Sequence, residues 1–287
     1  MSVQKSAAKH HFVPKFILRA WQDDKKFLWI YNRNNKGDIS FRRGAPKSVA
    51  YIENLYTLYP EFRGSRPKAD EVESTVMAKI DDNAAVVHRI LLEEGVQAVD
   101  EKGRRVWAVF IASMMERSPK QLQQYKEVIP LSEIESDLRM LGPNAIDLIS
   151  SGGLNLESIR NNVVMKFMVE RILDPEFVEL LCRMHWFVIR NEICGEHFVL
   201  GDDSLIINNG SGDGQSLYVI RIAISPDMLF VMVYDDAWLD DELIRVLAVS
   251  YNLNVIRASE RYVISSRELK NSTLTKYQRA LDELHRR

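Results

Sequence analysis

The spacing of apolar residues changes along the chain, and each spacing predicts a different kind of element. Between residues 69 and 94 apolar positions recur every three or four residues, which predicts an amphipathic helix capped near Gly95. The stripe consists of Val72, Val76, Ile80, Val87 and Leu91. Residues 101–117 repeat this spacing, and Ser118 followed by Pro119 has the residue types that begin a further helix. Short helices are predicted from there to about residue 183.

Strand patterns lie on both sides of this helical block. Residues 27–33 (FLWIYNR) and 39–43 (ISFRR) are predicted strands joined by a turn, which makes a hairpin. From residue 185 onward, four segments rich in aromatic and β-branched residues are separated by short turns, which predicts a mostly antiparallel sheet. These segments are 185–191, 197–206, 217–225 and 228–235. The glycine-rich stretch 208–214 lacks a Walker lysine and is predicted to be a flexible hairpin connection.

The predicted fold class is therefore α+β, with an N-terminal hairpin, a central helical block and a C-terminal, mostly antiparallel sheet with flanking helices. The last helices are predicted at about 241–259 and near the C-terminus, at Leu274, Tyr277, Leu281 and Leu284. We expect one compact unit over residues 1–287, with sub-blocks 1–68, 69–183 and 184–287. The first and last thirds should meet, because the hairpin has no large sheet of its own.

Composition narrows the class of protein further. Hydrophobic residues at 46% and charged residues at 27% are typical of a globular protein. The first residues lack the apolar core of a signal peptide and no apolar run has the length of a membrane helix, so we expect a cytoplasmic protein without a membrane partner. Two cysteines, Cys182 and Cys194, exclude a cysteine-rich zinc site and are expected to be buried thiols.

The positive charge is concentrated at the start of the chain. The net charge is −2, yet residues 1–47 contain eleven Lys and Arg against three Asp. Such an asymmetry can indicate a nucleic acid or another polyanion as partner, and it can equally be a solvated basic face.

The densest chemical signal is the stretch HHFVPKFILRAW, residues 10–21. Pro14 is suited to the first turn of a helix, and the N-terminus of a helix, with Lys15 and Arg19 beside it, would favour a phosphate or a carboxylate. A histidine here could bind metal, act as a general acid or base, or contact phosphate, but it could also only pack. Because His10 and His11 should point apart, one of them would serve a given ion, and we choose His11.

Several motifs resemble those of a bacterial family catalogued as domain of unknown function 4238. The stretch at residues 10–21 resembles its opening motif. RSP at 117–119, FVLGDDSL at 198–205 and NLNVIRASERYVIS at 252–265 follow in the family's order. Where the family usually reads TSDNPV, this chain keeps only the acid, Asp202.

These stretches supply the other candidate residues. Arg117 lies at a helix junction, where it could pair with an anion in a cleft or cap the carbonyls of its own helix. Asp202 and Asp203 follow an apolar strand, where a metal ligand or a base is often displayed, although an Asx turn explains them as well. Asn252 lies on the helix predicted at 241–259 and is a candidate for substrate binding.

Three functions fit these features. The first is a phosphodiester hydrolase, specifically a nuclease that depends on Mg²⁺ or Mn²⁺. Its catalytic residues would be His11, Asp202 and Arg117, its metal ligands His11 and Asp202, and its substrate-binding residues His10, Lys15, Arg19 and Asn252. The second is a non-enzymatic module that binds nucleic acid or an acidic protein. The third is a small-molecule sensor subunit with its ligand between the helical block and the sheet.

Overall fold

The computed structural model describes residues 8–33, 39–59, 70–142, 144–151, 155–212, 215–234, 239–270 and 275. The turn predicted at 34–38 and the four positions that marked the C-terminal helix lie outside these residues. Within them, the strands are β1 (Lys9–His11), β2 (Leu28–Arg33), β3 (Ile39–Gly44), β4 (Tyr51–Glu53), β5 (His185–Arg190), β6 (Leu200–Gly201), β7 (Ile206–Gly212), β8 (Gln215–Ser225), β9 (Met228–Val233) and β10 (Tyr262–Ser265).

Most of the helices lie between residues 78 and 183, with one helix before this block and one after it. They are α1 (Lys15–Arg19), α2 (Ala78–Glu93), α3 (Glu101–Glu116), α4 (Pro119–Val128), α5 (Leu131–Met140), α6 (Ala145–Ser151), α7 (Leu156–Ile172), α8 (Pro175–Arg183) and α9 (Asp241–Ala258). A π-helix, Val72–Met77, directly precedes α2. The α+β class predicted from the sequence is confirmed.

The chain divides into two compact units. Unit 1 comprises Met1–Phe12, Tyr51–Asn83 and Ala108–Val178, and unit 2 comprises Val13–Ala50, Ala84–Trp107 and Glu179–Arg287. Each is discontinuous in sequence, so neither follows the sub-blocks that were expected. The expectation of one compact unit over residues 1–287 stays a prediction.

Unit 1 is mainly helical. Its short strands β1 and β4 pair antiparallel, with His10 opposite Ile52 and His11 opposite Tyr51. Helix α7 packs against α4 and α5. Buried side chains of α7, Val164, Met168 and Ile172 among them, face this core at helical spacing.

Unit 2 contains two antiparallel sheets among the described residues, in the orders β3-β2-β10-β6 and β5-β9-β8-β7. The N-terminal hairpin β2–β3 is confirmed. It pairs with the C-terminal strand β10, as expected for a hairpin that has no large sheet of its own. All six residues of β9 are buried. Against this strand, Phe230 makes edge-to-face contacts with Trp107 and Trp186.

The segment 197–206 differs from the strand that was predicted. Leu200–Gly201 is strand and pairs with β10 rather than with a neighbour in the C-terminal sheet, and Ile206 is the first residue of β7. The physical reason is local, because the Ser204 hydroxyl accepts from the Gly201 N–H (2.7 Å) and donates to the Gly201 carbonyl (2.8 Å), which turns the chain. A side chain at Gly201 would also overlap Ser259, so the close backbone approach requires glycine here.

The glycine-rich stretch at 208–214 was predicted to be a flexible hairpin connection, which is wrong for residues 208–212, while 213 and 214 lie outside the described residues. Residues 206–212 form β7 and pair with β8 in continuous register, from Ile206 opposite Arg221 to Gly212 opposite Gln215. Backbone pairing does not require side chains, so small residues can continue a ladder that the sequence pattern does not indicate.

The predicted helix boundaries are mostly confirmed by their capping contacts. The side chains of Ser118, Asn155 and Asp240 each accept from a backbone N–H in the first turn of α4, α7 and α9, respectively. Gly95 follows α2 with φ +87°, a conformation that glycine adopts without strain. These contacts fix where the helices begin and where α2, which carries Asp81, ends.

Candidate functional site

His10 and His11 lie next to each other on β1 and therefore point to opposite faces, as predicted. Both are buried. The His11 ring packs against Tyr51 at a centroid distance of 5.6 Å, and the Lys9 ammonium lies over the same Tyr51 ring, 4.3 Å from its centroid. His10 takes part in a different set of contacts.

The protonation state of His10 follows from its hydrogen bonds. Its Nδ1 accepts from the backbone N–H of Tyr56 at 2.8 Å, so the neutral ring carries its hydrogen on Nε2. Nε2 is buried and lies 3.7 Å from Oδ1 of Asp70. Burial lowers the pKa of His10 below its ordinary value, and Asp70 opposes this shift only in part. His10 is therefore a neutral hydrogen-bond donor near neutral pH.

Tyr56 connects His10 to Arg117. The ring of Tyr56 stacks on His10, with centroids 5.5 Å apart and planes inclined by 10°. At its other end, the Tyr56 hydroxyl donates to the carbonyl of Arg117 at 2.8 Å. Tyr56 is fully buried, so this one side chain spans the protein interior between the two predicted residues.

Arg117 follows the last residue of α3 and has no exposed surface. Its Nη2 donates to Asp81 Oδ1 and to Ser113 Oγ, both at 2.7 Å. Its Nε and Nη1 are also buried, and they have no hydrogen-bond partner among the described residues. Burial favours the uncharged form, but the interactions with Asp81, Tyr56 and Glu73 together outweigh burial, so the pKa of Arg117 is raised. Arg117 is a permanent buried cation with unused donors.

The π-helix adds a further carboxylate to this group. Ala78 N–H donates to Glu73 O, five residues earlier, which is the π pattern. Glu73, half-buried on this helix, contributes to the raised pKa of Arg117. π-Helical segments occur frequently at functional sites, and this one lies between Asp70 and Asp81 in the chain. We call His10, Tyr56, Asp70, Glu73, Asp81, Ser113 and Arg117 the arginine cluster.

A neighbouring network fixes the end of α3. Glu116, the last residue of that helix, accepts a very short hydrogen bond from the Tyr125 hydroxyl and lies 3.4 Å from Arg171 Nε. Burial raises the pKa of Tyr125 to about 12, and Glu116 adds to the shift. These contacts hold the residue directly before Arg117 and so restrict where its backbone can lie.

The remaining candidates belong to unit 2. Asp202 Oδ2 accepts from the backbone N–H groups of Glu260 (3.3 Å) and Arg261 (2.9 Å), and Oδ1 is buried without a partner among the described residues. Burial raises the pKa of Asp202 to about 6. Asn252 accepts from Val199 N–H (3.0 Å) and donates to His197 O (2.9 Å), so both ends of its amide already hold the backbone.

Helix α1 differs from the anion site that the sequence suggested. It is only five residues long, and Pro14 precedes it as the N-cap residue instead of forming its first turn. Because a dipole grows with the number of aligned peptides, one turn provides little field for an anion. Lys15 and Arg19 are exposed on this helix. Their role in substrate binding stays a prediction.

The structure thus brings His10 and Arg117 together through Tyr56, and it places His11 in the same unit. Asp202, Asn252, Lys15 and Arg19 lie in unit 2. Five residues of the arginine cluster were not predicted from the sequence: Tyr56, Asp70, Glu73, Asp81 and Ser113. Glu73 was visible in the sequence but had the ordinary explanation of an acid in the first turn of a helix.

Two further predictions concern metals and thiols. In the described part of the chain, no three ligating side chains come close enough to hold a metal ion. The Mg²⁺ or Mn²⁺ site predicted at His11 and Asp202 stays a prediction. Cys182 and Cys194 are both free and half-buried, and burial raises the pKa of each thiol. A raised pKa makes a thiol less reactive, in agreement with a packing role.

Comparison with known proteins places the chain in a family. The family model described as "Protein of unknown function (DUF4238)" matches residues 9–268, and the chain belongs to this family. The resemblance seen in the sequence motifs is confirmed. No curated protein and no solved structure matches the chain. Among the described residues, no helix has the length and apolar character needed to cross a membrane.

Proposed function

We propose that this protein is a phosphodiester hydrolase that acts on nucleic acid, with the phosphate bound by Arg117 in the arginine cluster. One observation carries the proposal. Arg117 is fully buried, and its Nε and Nη1 have no hydrogen-bond partner among the described residues. A buried donor without a partner costs about 1–3 kcal/mol, so such donors are expected to have a ligand.

The charge of the cluster favours a phosphodiester over other phosphates. Asp81 already pairs with Nη2 of Arg117, and Glu73 lies within electrostatic reach. A phosphate monoester would bring close to two negative charges next to these carboxylates, whereas a phosphodiester brings one. The planar guanidinium with several N–H groups suits an anion that has more than one oxygen.

His10 and Asp70 supply the groups that hydrolysis needs. Asp70 is 42% exposed at its side chain, so its carboxylate can accept a proton from an attacking water molecule. Neutral His10 holds one proton on Nε2 and cannot readily lose it, so it acts by donating a hydrogen bond to the charge that develops on phosphate oxygens. The oxygen of the leaving group takes its proton from solvent.

The proposal includes the dependence on Mg²⁺ or Mn²⁺ that was predicted from the sequence. A divalent cation would neutralise phosphate charge and activate water. His11 and Asp202 remain the candidate ligands, and each is tested by its own substitution to alanine in the presence of Mg²⁺, Mn²⁺ or a chelator. Loss of metal-dependent cleavage in both variants, with folding intact, would support them.

A binding module without chemistry is the second candidate function. It is favoured by the neutral, buried state of His10, whose hydrogen on Nε2 makes it a hydrogen-bond donor and not a base. The excess of positive charge in residues 1–47 is compatible with both functions. The two differ in whether a bound oligonucleotide is cleaved.

The test is a cleavage assay on the purified full chain with single- and double-stranded DNA and RNA oligonucleotides. Arg117→Lys keeps the charge but loses the planar set of donors, and we expect cleavage to fall about 100-fold or more. Arg221→Lys is the matched control, since Arg221 is equally buried but lies in unit 2. It should cleave like the wild type.

Two substitutions separate the roles of His10. His10→Asn retains an acceptor near the position of Nδ1 and can hold Tyr56, whereas His10→Gln retains a donor near the position of Nε2. The proposal predicts more activity in His10→Gln than in His10→Asn at equal stability. If the wild type cleaves none of the substrates, the hydrolase is refuted; oligonucleotide binding that is weakened by Arg117→Lys would then establish the binding module.

A further inference from the structure

Unit 1 contains a cavity of about 880 Å³ that none of the contacts described above involves. Its walls come from the π-helix, from α5 to α7 and from Leu58, so it is enclosed on several sides. These walls are largely apolar and include Val72, Val76, Leu138, Ile149, Ile159 and Val169. Cavities that bind small molecules have volumes of roughly 300–1,000 Å³ and a similar apolar lining.

The polar groups at this cavity are mostly occupied. Asn162 accepts from Tyr59 N–H and donates to Tyr59 O, both at 2.9 Å. The Thr75 hydroxyl donates to the backbone carbonyl of Glu71 at 2.6 Å. Lys166 lies 3.9 Å from Glu170. Glu71 is exposed, and its carboxylate has no cationic partner among the described residues.

We propose that this cavity binds a small amphipathic molecule with an aliphatic body and a cationic head, such as an alkylammonium. Burial of the aliphatic part supplies the affinity, because the walls offer apolar surface and few free hydrogen-bonding groups. Glu71, which is exposed, lines the cavity and has no cationic partner among the described residues, favours a positive charge on the head. A cavity with walls on several sides fits a small molecule better than it fits the flat surface of another protein. This site is separate from the hydrolase proposed above, and neither depends on the other.

The cavity was not foreseen at this place. The sequence analysis considered a sensor whose ligand would lie between the helical block and the sheet, whereas this cavity is formed within unit 1 alone. Its lining comes from residues 58–170, which are far apart in sequence.

The first experiment measures binding of the uncharged fluorescent probe N-phenyl-1-naphthylamine to the full chain. Val163 lines the cavity on α7 and is 38% exposed, so Val163→Trp should fill the space and weaken probe binding about tenfold or more. Val249→Trp is the matched control, because Val249 is an exposed valine on α9 of unit 2. It should bind the probe like the wild type.

The second experiment tests the charge of the head group. Dodecyltrimethylammonium and dodecanoate, each below its micelle concentration, and dodecanol below its solubility limit compete with the probe. We expect the ammonium to compete about threefold or more better than dodecanoate, and Glu71→Gln to remove that preference while dodecanol is unaffected. Absence of probe binding to the wild type, unchanged binding in Val163→Trp, or equal competition by dodecanoate and the ammonium would each overturn the proposal.

Discussion

Arg117 in unit 1 and Arg221 in unit 2 are both almost completely buried, but different groups surround them. Arg221 Nη1 donates to the carbonyl of Leu247 (2.6 Å) and to Ser250 Oγ (2.9 Å), and its Nη2 donates to Asn208 Oδ1 (2.6 Å). All three acceptors are uncharged. Burial lowers the pKa of Arg221 to about 10.

For Arg117, the neighbouring groups outweigh the effect of burial on the pKa. Asp81 pairs with it, its pKa is raised despite burial, and two of its three guanidinium nitrogens have no partner among the described residues. Arg221 has one such nitrogen, Nε, and its other two nitrogens tie β8 to α9 and β7 through neutral acceptors. Arg117 is stabilised as a cation and still has donors to offer, and this combination is typical of a ligand site.

The largest expected difference between the two arginines is in how much each substitution to methionine lowers the free energy of unfolding. Arg117→Met leaves Asp81 and Glu73 without their cation and should lower the free energy of unfolding by about 3–4 kcal/mol. Arg221→Met removes a poorly solvated charge together with its hydrogen bonds, and these effects should cancel to within about 1 kcal/mol. Urea denaturation of both variants at pH 7.5 measures the difference. Equal losses would show that Arg221 is as strongly stabilised as Arg117.

The next prediction contrasts the carboxylate that pairs with Arg117 with one that has no cation beside it. Asp202 accepts only backbone N–H groups in the described contacts, and burial raises its pKa from 3.8 to about 6. Between about pH 4 and pH 6 the folded state keeps a proton that the unfolded state has lost, so stability falls as the pH rises, by about 3 kcal/mol at most.

Asp202→Asn should remove this part of the pH dependence. Relative to the wild type, the variant should become more stable between pH 4 and pH 7.5, as measured by denaturation at both values. A constant difference between the two proteins across this range would show that Asp202 ionises at its ordinary pKa when folded.

The smallest expected effect on stability concerns two buried tyrosines, one in each unit. Tyr251 accepts from Ala223 N–H (2.9 Å) and donates to Ser204 O (2.8 Å), whereas the Tyr56 hydroxyl makes one bond to the described residues, to Arg117 O. Each bond lost from a buried group costs about 1–1.5 kcal/mol, so Tyr251→Phe should cost about twice as much as Tyr56→Phe. Thermal unfolding of the two variants gives this ratio. A larger loss in Tyr56→Phe would mean that its hydroxyl supports more of the arginine cluster than one carbonyl.

Local features of the fold and site could be predicted from the sequence. The alternation of a strand separates His10 from His11, and a helix stop before Ser118 and Pro119 marks Arg117, since both depend on neighbouring residues. The contacts of Arg117 could not be predicted in this way. Asp81 is 36 residues away, and His10 is 46 residues from Tyr56.

The choice between the two histidines shows the same limit. The sequence favoured His11, whereas it is His10 that stacks on Tyr56 and lies near Asp70. Which face of β1 carries this cluster depends on residues of β4 and of the segment before the π-helix. The π-helix itself has no sequence signal, because the same residues suit an α-helix, and its apolar stripe was correctly predicted as helical.

The most direct test of the central claim follows the Nε–H groups of the two arginines by NMR while dimethyl phosphate, a singly charged phosphodiester, is added. Arg117→Lys and Arg221→Lys assign the two signals, and sodium chloride at matched ionic strength controls for screening. The account predicts that the Arg117 signal shifts and saturates with dimethyl phosphate while the Arg221 signal stays in place. An Arg117 signal that does not respond to dimethyl phosphate, or two signals that shift alike, would contradict it.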